Sequence, residues 1–353
     1  MQAQAIVAGG DKPAGLEFAA EIAAGAEDSG DTLEYAGLLA ASGELEESMT
    51  IVDGIRRAEP DNMNALKAAA LLKIRTGDLD TAWDDLTELA RQPKHQHDAM
   101  FYLANIAEGQ QRNNQAIRIY TQIGDGIHTV SAQQRVAEIL VRTGQSDEAI
   151  AHLEEFSARQ PEYGFRLLLP RASLLRQLGR YDGAIAIYDR VLQLKPRAES
   201  VLLTRAETFL MGERLDDAVA AYRDAVKVHP GSAASLNALG YTLADRTEMH
   251  AEARRLIEKA LALDPDNAAI IDSMGWVLFK QGEYDEALIH LERAWGLIKD
   301  PEVAAHLGET LWKLGQREKA KAILKEAYDR SPNSKPLRET LQRLLEAEAG
   351  IES

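Results

Sequence analysis

The stretch FRLLLPRASLLRQLGRYDGAIAIYDRVLQLKP, Phe165 to Pro196, decides the fold. Its first half places Leu168, Ala172 and Leu175 at helical spacing, giving one apolar face. Gly179 closes that helix, because glycine enters the left-handed region without the steric penalty that other residues meet. A second helix follows with Ala184, Tyr188 and Val191 on one face, and Pro196 stops it by removing an amide donor and colliding with the preceding turn. The stretch therefore predicts two antiparallel helices joined by a tight turn, with Ala172 facing Ala184 where they come closest. A larger side chain at either place would force the helices apart at a cost of about 1–3 kcal/mol.

The same pattern recurs along the chain. Ala116, Ala149, Ala184, Ala218, Ala253, Ala287 and Ala320 follow one another at intervals of 33 to 35 residues. Small residues pair in the same way in the later units: Ala206 with Ala218, Gly240 with Ala253, Gly275 with Ala287, and Gly308 with Ala320. Nine units are predicted, beginning near Gly30, Met63, His97, Val130, Phe165, Glu199, Ala233, Ala268 and Pro301. They are not uniform. The unit from His97 lacks a closing proline and ends in Gly124, Asp125 and Gly126, which predicts a looser junction. The unit from Ala233 has a longer turn, Asp245 to His250, and the linker at Lys299, Asp300 and Pro301 is compressed.

The two ends differ. Lys335 to Ala349 reads as a single charged helix that caps the last unit, since a repeat stack must cover its terminal apolar face. Ala3 to Ala8, a Gly9–Gly10 turn and a helix from Pro13 to Ala24 read as a repeat entered halfway, so the chain is expected to be a fragment lacking upstream repeats. The organisation that follows is a partial repeat over 1–28, repeats 1–3 over 29–126, repeats 4–9 over 127–332, and a capping helix and tail over 333–353.

Composition agrees with an all-α chain and narrows its chemistry. Hydrophobic residues at 45% and charged residues at 27% are values of a folded protein. The formal charge of −16 opposes nucleic acid and anionic lipid, and no basic stripe offsets it. No apolar stretch approaches the roughly 20 residues of a membrane-spanning helix. The absence of cysteine excludes disulfides, thiolate zinc sites and cysteine nucleophiles. His95 and His97 come closest to a metal-ligand spacing but lack a carboxylate frame; no HExxH and no glycine-rich phosphate loop occurs. Carboxylate pairs such as Glu46 with Glu47 and Glu154 with Glu155 fall on polar helix faces, where solvated charge accounts for them. No enzyme activity, metal or cofactor is expected.

A 34-residue helix-turn-helix period with these small-residue pairs resembles the tetratricopeptide repeat (TPR). The resemblance implies an α-solenoid, a right-handed superhelix whose first helices line a concave groove and bind proteins or extended peptides. In that frame the groove positions of the last three full repeats hold Asn237, Tyr241 and Asp245; Asp272, Trp276, Phe279 and Lys280; then Glu309, Trp312 and Lys313. Aromatic side chains there suit a binding surface, since they offer contact area at little entropic cost. Trp276 differs in helical phase from Met274, Gly275, Leu307 and Gly308, which favours binding over packing, whereas Trp312 also reads as tucked behind the closing helix. Acids, aromatics and single lysines do not reproduce the Lys and Asn clamp some TPR proteins use for a terminal carboxylate, which favours an extended peptide or a protein surface.

Four stretches carry a narrower resemblance: FYLANIAEGQQRNNQAIRIYTQIGDG (Phe101 to Gly126), LNALGYTLADRT (Leu236 to Thr247), DSMGWVLFKQGEYDEAL (Asp272 to Leu288) and DPEVAAHLGETLWKLG (Asp300 to Gly315). They resemble a proteobacterial family of outer-membrane TPR lipoproteins. One member type is a periplasmic adaptor that delivers cell-wall hydrolases to a carboxyl-terminal processing protease. The resemblance implies a lipidated cysteine upstream, periplasmic localisation, and that protease and its substrates as partners. The alternative is a TPR assembly scaffold of the cytoplasm or of pilus or secretion machinery.

Overall fold

The computed structural model describes residues 6, 11–26 and 28–348. The stretch Ala3 to Ala8 with its glycine turn, and the end of the capping segment at Ala349, therefore fall wholly or largely outside the described residues. Regular structure among the described residues is entirely helical, and the chain divides into two units, 1–171 and 172–353.

Unit 1 begins with α1 (Lys12–Ala24). Four antiparallel pairs follow: α2 (Ser29–Ala41) with α3 (Leu45–Ala58), α4 (Met63–Thr76) with α5 (Leu79–Leu89), α6 (Gln96–Gly109) with α7 (Asn113–Tyr120), and α8 (Thr129–Arg142) with α9 (Ser146–Arg159). The division between units falls within α10 (Pro161–Gln177). Unit 2 continues with α11 (Tyr181–Leu194) and the pairs α12 (Glu199–Met211) with α13 (Leu215–Val228), α14 (Ala233–Arg246) with α15 (His250–Leu263), α16 (Ala268–Lys280) with α17 (Tyr284–Leu297), and α18 (Pro301–Lys313) with α19 (Arg317–Arg330). It ends in α20 (Lys335–Glu348). Each unit is a stack of helix pairs, an α-solenoid.

Local chemistry sets the helix starts. Asn267 and Asp300 accept amide hydrogen bonds from the first turns of α16 and α18, and Ser232 does so for α14. Pro301 occupies the first helical turn, where its missing amide costs nothing. Pro161 does the same for α10, so that helix starts one turn before Phe165, the start the sequence suggested. Within pairs the turns use left-handed glycines, Gly179 at φ 72° among them. In two turns the glycine comes one or two places early, and Gln111 (φ 60°) and Glu213 (φ 58°) take the left-handed position instead. The junction after Tyr120 is long because α7 is short; Tyr163 closes it by donating to Asp125 at 2.7 Å.

The small residues hold the pairs together. A Cβ at Gly240 would stand 2.6 Å from Ile257 Cγ1 and 3.1 Å from the Ala253 carbonyl; at Gly275 it would stand 2.5 Å from Leu291 Cγ and 3.2 Å from the Ala287 carbonyl. Ala253 and Ala287 are fully buried. The glycines thus let one helix rest on the backbone and on the large side chain one turn further along its partner. A single core cluster in unit 2 runs from Ala206 to Leu337, and Leu337 of α20 is fully buried in it beside the last pair.

Candidate functional site

The predicted groove residues lie on α14, α16 and α18, three successive first helices, and most of them join one side-chain network. Trp276 is only 5% exposed. Its ring stacks on His306 at 4.0 Å between centroids and 17° between planes, and on Phe279 at 4.9 Å and 5°. Its Nε1 donates to Asp245 at 3.1 Å, and Lys280 sets its ammonium 4.9 Å from the ring centre and 3.9 Å from Asp245. The expected departure of Trp276 from the packing phase is therefore corrected. The neighbouring repeat supplies His306 at the place where the indole faces, so a position that points off its own pair is covered by the next one.

His306 was not among the sequence-selected residues. It is 5% exposed, and its Nδ1 lies 3.0 Å from Asp272 Oδ2 and 3.1 Å from Oδ1. Burial by itself would lower its pKa, but the charge and hydrogen bond of Asp272, with Glu302 and Glu309 adding to them, hold it above the ordinary histidine value. These carboxylates favour protonation of the ring relative to a free imidazole, and the ring lies against the face of the indole. The available signal was a lone histidine inside the apolar run VAAHLG of α18. Asp272 is itself buried, as the acid of this pair.

Tyr241 reaches across one repeat and donates its hydroxyl to Glu302 at the start of α18. Burial, reinforced by the Glu302 carboxylate, raises its pKa well above the usual phenol value. Glu309 accepts from Thr340 at 2.8 Å and from Arg343, both on the terminal helix. Trp312 is partly buried and lines a hollow of about 230 Å³ with Leu324, Tyr328, Leu341 and Leu344, so it stands beside the terminal helix. Asn237 is partly buried, and its Oδ1 has no hydrogen-bond partner among the described residues. Lys313 is exposed. The structure therefore unites Tyr241, Asp245, Asp272, Trp276, Phe279 and Lys280 around His306 and leaves Asn237, Trp312 and Lys313 outside that stack.

The network ties three successive first helices together, from Tyr241 on α14 through Trp276 on α16 to Glu302 and His306 on α18. The His306–Asp272 pair is enclosed beneath an indole, so a substrate does not reach it. Unit 1 carries a comparable inner carboxylate: Glu108, buried, accepts from Arg135 Nε at 3.0 Å, Arg142 at 3.1 Å and Tyr120 at 3.2 Å. Among the described residues no cluster of three histidine or carboxylate groups could hold a metal, and no helix is long and apolar enough to cross a membrane.

Comparison with known proteins follows the same pattern. Profiles of the tetratricopeptide repeat match residues 98–125, 137–199, 175–240, 247–308 and 278–345. A TPR repeat-containing protein of Pseudomonas aeruginosa is 38% identical over 214 residues, covering 60% of this chain; the chain spans only 36% of that protein's length. A second TPR repeat-containing protein, from Bacillus subtilis, is 23% identical over 83% of this chain and 70% of its own. Among solved structures, a tetratricopeptide repeat protein from Parabacteroides merdae aligns over 70% of this chain and 97% of its own, with a TM-score of 0.54 at 15% identity, a likeness of fold.

Proposed function

The chain belongs to the tetratricopeptide-repeat proteins, which are generally non-catalytic scaffolds that bind proteins or peptides, and from that premise we propose that it is an adaptor joining a periplasmic carboxyl-terminal processing protease to its cell-wall hydrolase substrates. The observation that carries this reading is the row of charged side chains Asp245, Lys280 and Lys313, each five residues after the close-packing glycine of three successive first helices, beside the stack of Trp276 and His306. Such a row offers charged groups to an extended partner segment lying along the first helices, and the stretches from Leu236 to Gly315 that hold it are those that resemble the outer-membrane lipoprotein family. In this reading the chain does no chemistry. It raises the effective concentration of substrate at the protease by holding both, and a lipid anchor belonging to the full-length protein keeps the assembly at the outer membrane.

Capture from envelope extracts, with the tagged chain as bait and mass spectrometry as readout, tests the proposal. A carboxyl-terminal processing protease and at least one cell-wall hydrolase are expected together. Recovery of neither, with other proteins retained, overturns the adaptor role and leaves a scaffold with different partners.

A further inference from the structure

Between the first two helix pairs of unit 1 lies an apolar hollow of about 410 Å³, walled by Gly37 and Ala40 of α2, Val52 of α3, Leu71 and Ile74 of α4, and Tyr102 of α6. Its origin is legible in the repeat register. A shift of one repeat places Gly37 and Ala40 where α4 carries Leu71 and Ile74, so α2 contributes almost no side-chain volume there. The Ser48 hydroxyl in the wall already donates to the Ala36 carbonyl at 2.6 Å, which leaves little to hold water in place.

Gly37 itself has no structural reason to be glycine. It sits within α2, where glycine is unfavourable relative to alanine, its φ is not left-handed, and a Cβ built on it meets nothing within 4 Å. What the missing side chain does achieve is to keep the hollow open. At its rim stands Arg75, exposed and without an ion-pair partner among the described residues. The other cations of the same helix are engaged, Lys67 with Asp98 and Lys73 with Asp85 at 2.6 Å. In a chain of net charge −16, an unpaired guanidinium beside an open apolar hollow is complementary to an apolar group with a carboxylate next to it.

We propose that this hollow receives one leucine- or phenylalanine-sized side chain from an internal extended segment of a partner protein, and that Arg75 holds an aspartate or glutamate adjacent to it in that segment. The proposal rests on the scaffold reading above and deepens it by naming a recognition element.

The test selects random dodecapeptides displayed on phage against the full chain, then measures a synthetic selected peptide, blocked at both ends, by fluorescence anisotropy. Enriched peptides are expected to pair an aromatic residue or leucine with an acid within two positions. Gly37→Leu, whose Cβ meets nothing within 4 Å and whose side chain extends into the hollow, should weaken binding at least tenfold while circular dichroism melting stays at or above that of the parent chain. Arg75→Glu, at an exposed position, should weaken it similarly, and a peptide with lysine in place of the acid should recover binding to that variant. Peptides that bind Gly37→Leu as tightly as the parent overturn the site and leave the scaffold reading standing. Peptides that require a free terminal carboxylate overturn the internal segment. A dimer seen by light scattering and dissolved by Gly37→Leu makes a second copy the occupant instead. A selection that enriches nothing overturns the hollow as a peptide site, and the envelope capture then decides the scaffold reading by itself.

Discussion

The imidazole of His306 lies nearly flat on the indole of Trp276, with ring centroids 4.0 Å apart, while its Nδ1 faces the Asp272 carboxylate at 3.0 Å. One histidine of α18 thus ties the two ends of the same turn of α16, charge at one end and π-face at the other. Removing it leaves a buried carboxylate without its partner and a large apolar ring without its cover.

The stack should make stability depend on pH. Four groups face or surround His306: Asp272 from α16, Glu302 and Glu309 from its own helix, and Tyr241 from α14. Its folded pKa is raised above 6.5, so its contribution is fully present below that value and is lost as pH rises through the folded value. The thermal midpoint followed by tryptophan fluorescence should fall on the alkaline side, and His306→Gln should abolish that fall. His306→Leu should cost about 3–5 kcal/mol at neutral pH, since it strands Asp272 in the interior. An unchanged alkaline limb in His306→Gln would assign the titration to another group.

Two helical glycines should respond oppositely to substitution. Gly275→Ala drives a Cβ to within 2.5 Å of Leu291 and should destabilise unit 2 by about 1–3 kcal/mol, because backbone and side chain must both shift. Gly37→Ala meets nothing within 4 Å and should stabilise unit 1 by about 0.5–1 kcal/mol. Urea melts followed by circular dichroism compare the two, and equal signs would refute the packing argument.

Repeat number and register were readable because each pair announces itself through small residues that have one steric role. Gly240, Gly275 and Gly308 could be placed opposite their partners without coordinates, and the starts at Met63, Glu199, Ala233, Ala268 and Pro301 coincide with the observed helices. What escaped depends on contacts between repeats rather than within them. Trp276 reads as free when only its own helix pair is considered, and only the next repeat shows that His306 covers it. Likewise α10 runs through Pro170 and starts at Pro161, where a proline reads equally as the stop of the previous helix or the first turn of the next.

The misplaced turn glycines offer a gain in stability. Gln111 and Glu213 hold φ near 60° beside glycines that precede them and do not use that region. Glycine at the strained position relieves the contact between Cβ and backbone, so Gln111→Gly or Glu213→Gly should stabilise by about 0.5–1 kcal/mol after the entropic loss of glycine is subtracted. A raised denaturant midpoint in both variants is the expected result, and a lowered one would place the turn conformation under other control.

Binding and folding should separate along the groove. Trp276→Ala removes a ring that is 5% exposed and should cost about 3–5 kcal/mol, so any loss of partner capture in that variant accompanies loss of structure. Lys313→Glu reverses an exposed charge at the end of the same row and should leave the melt within about 0.5 kcal/mol of the parent, because surface changes rarely exceed that. Capture of a partner in the groove should nonetheless fall severalfold, and fall less at high salt, where screening already removes the lysine's contribution. Capture that is indifferent to Lys313→Glu while still abolished by Trp276→Ala would show that the partner reads the shape held by the stack and not the charges beside it.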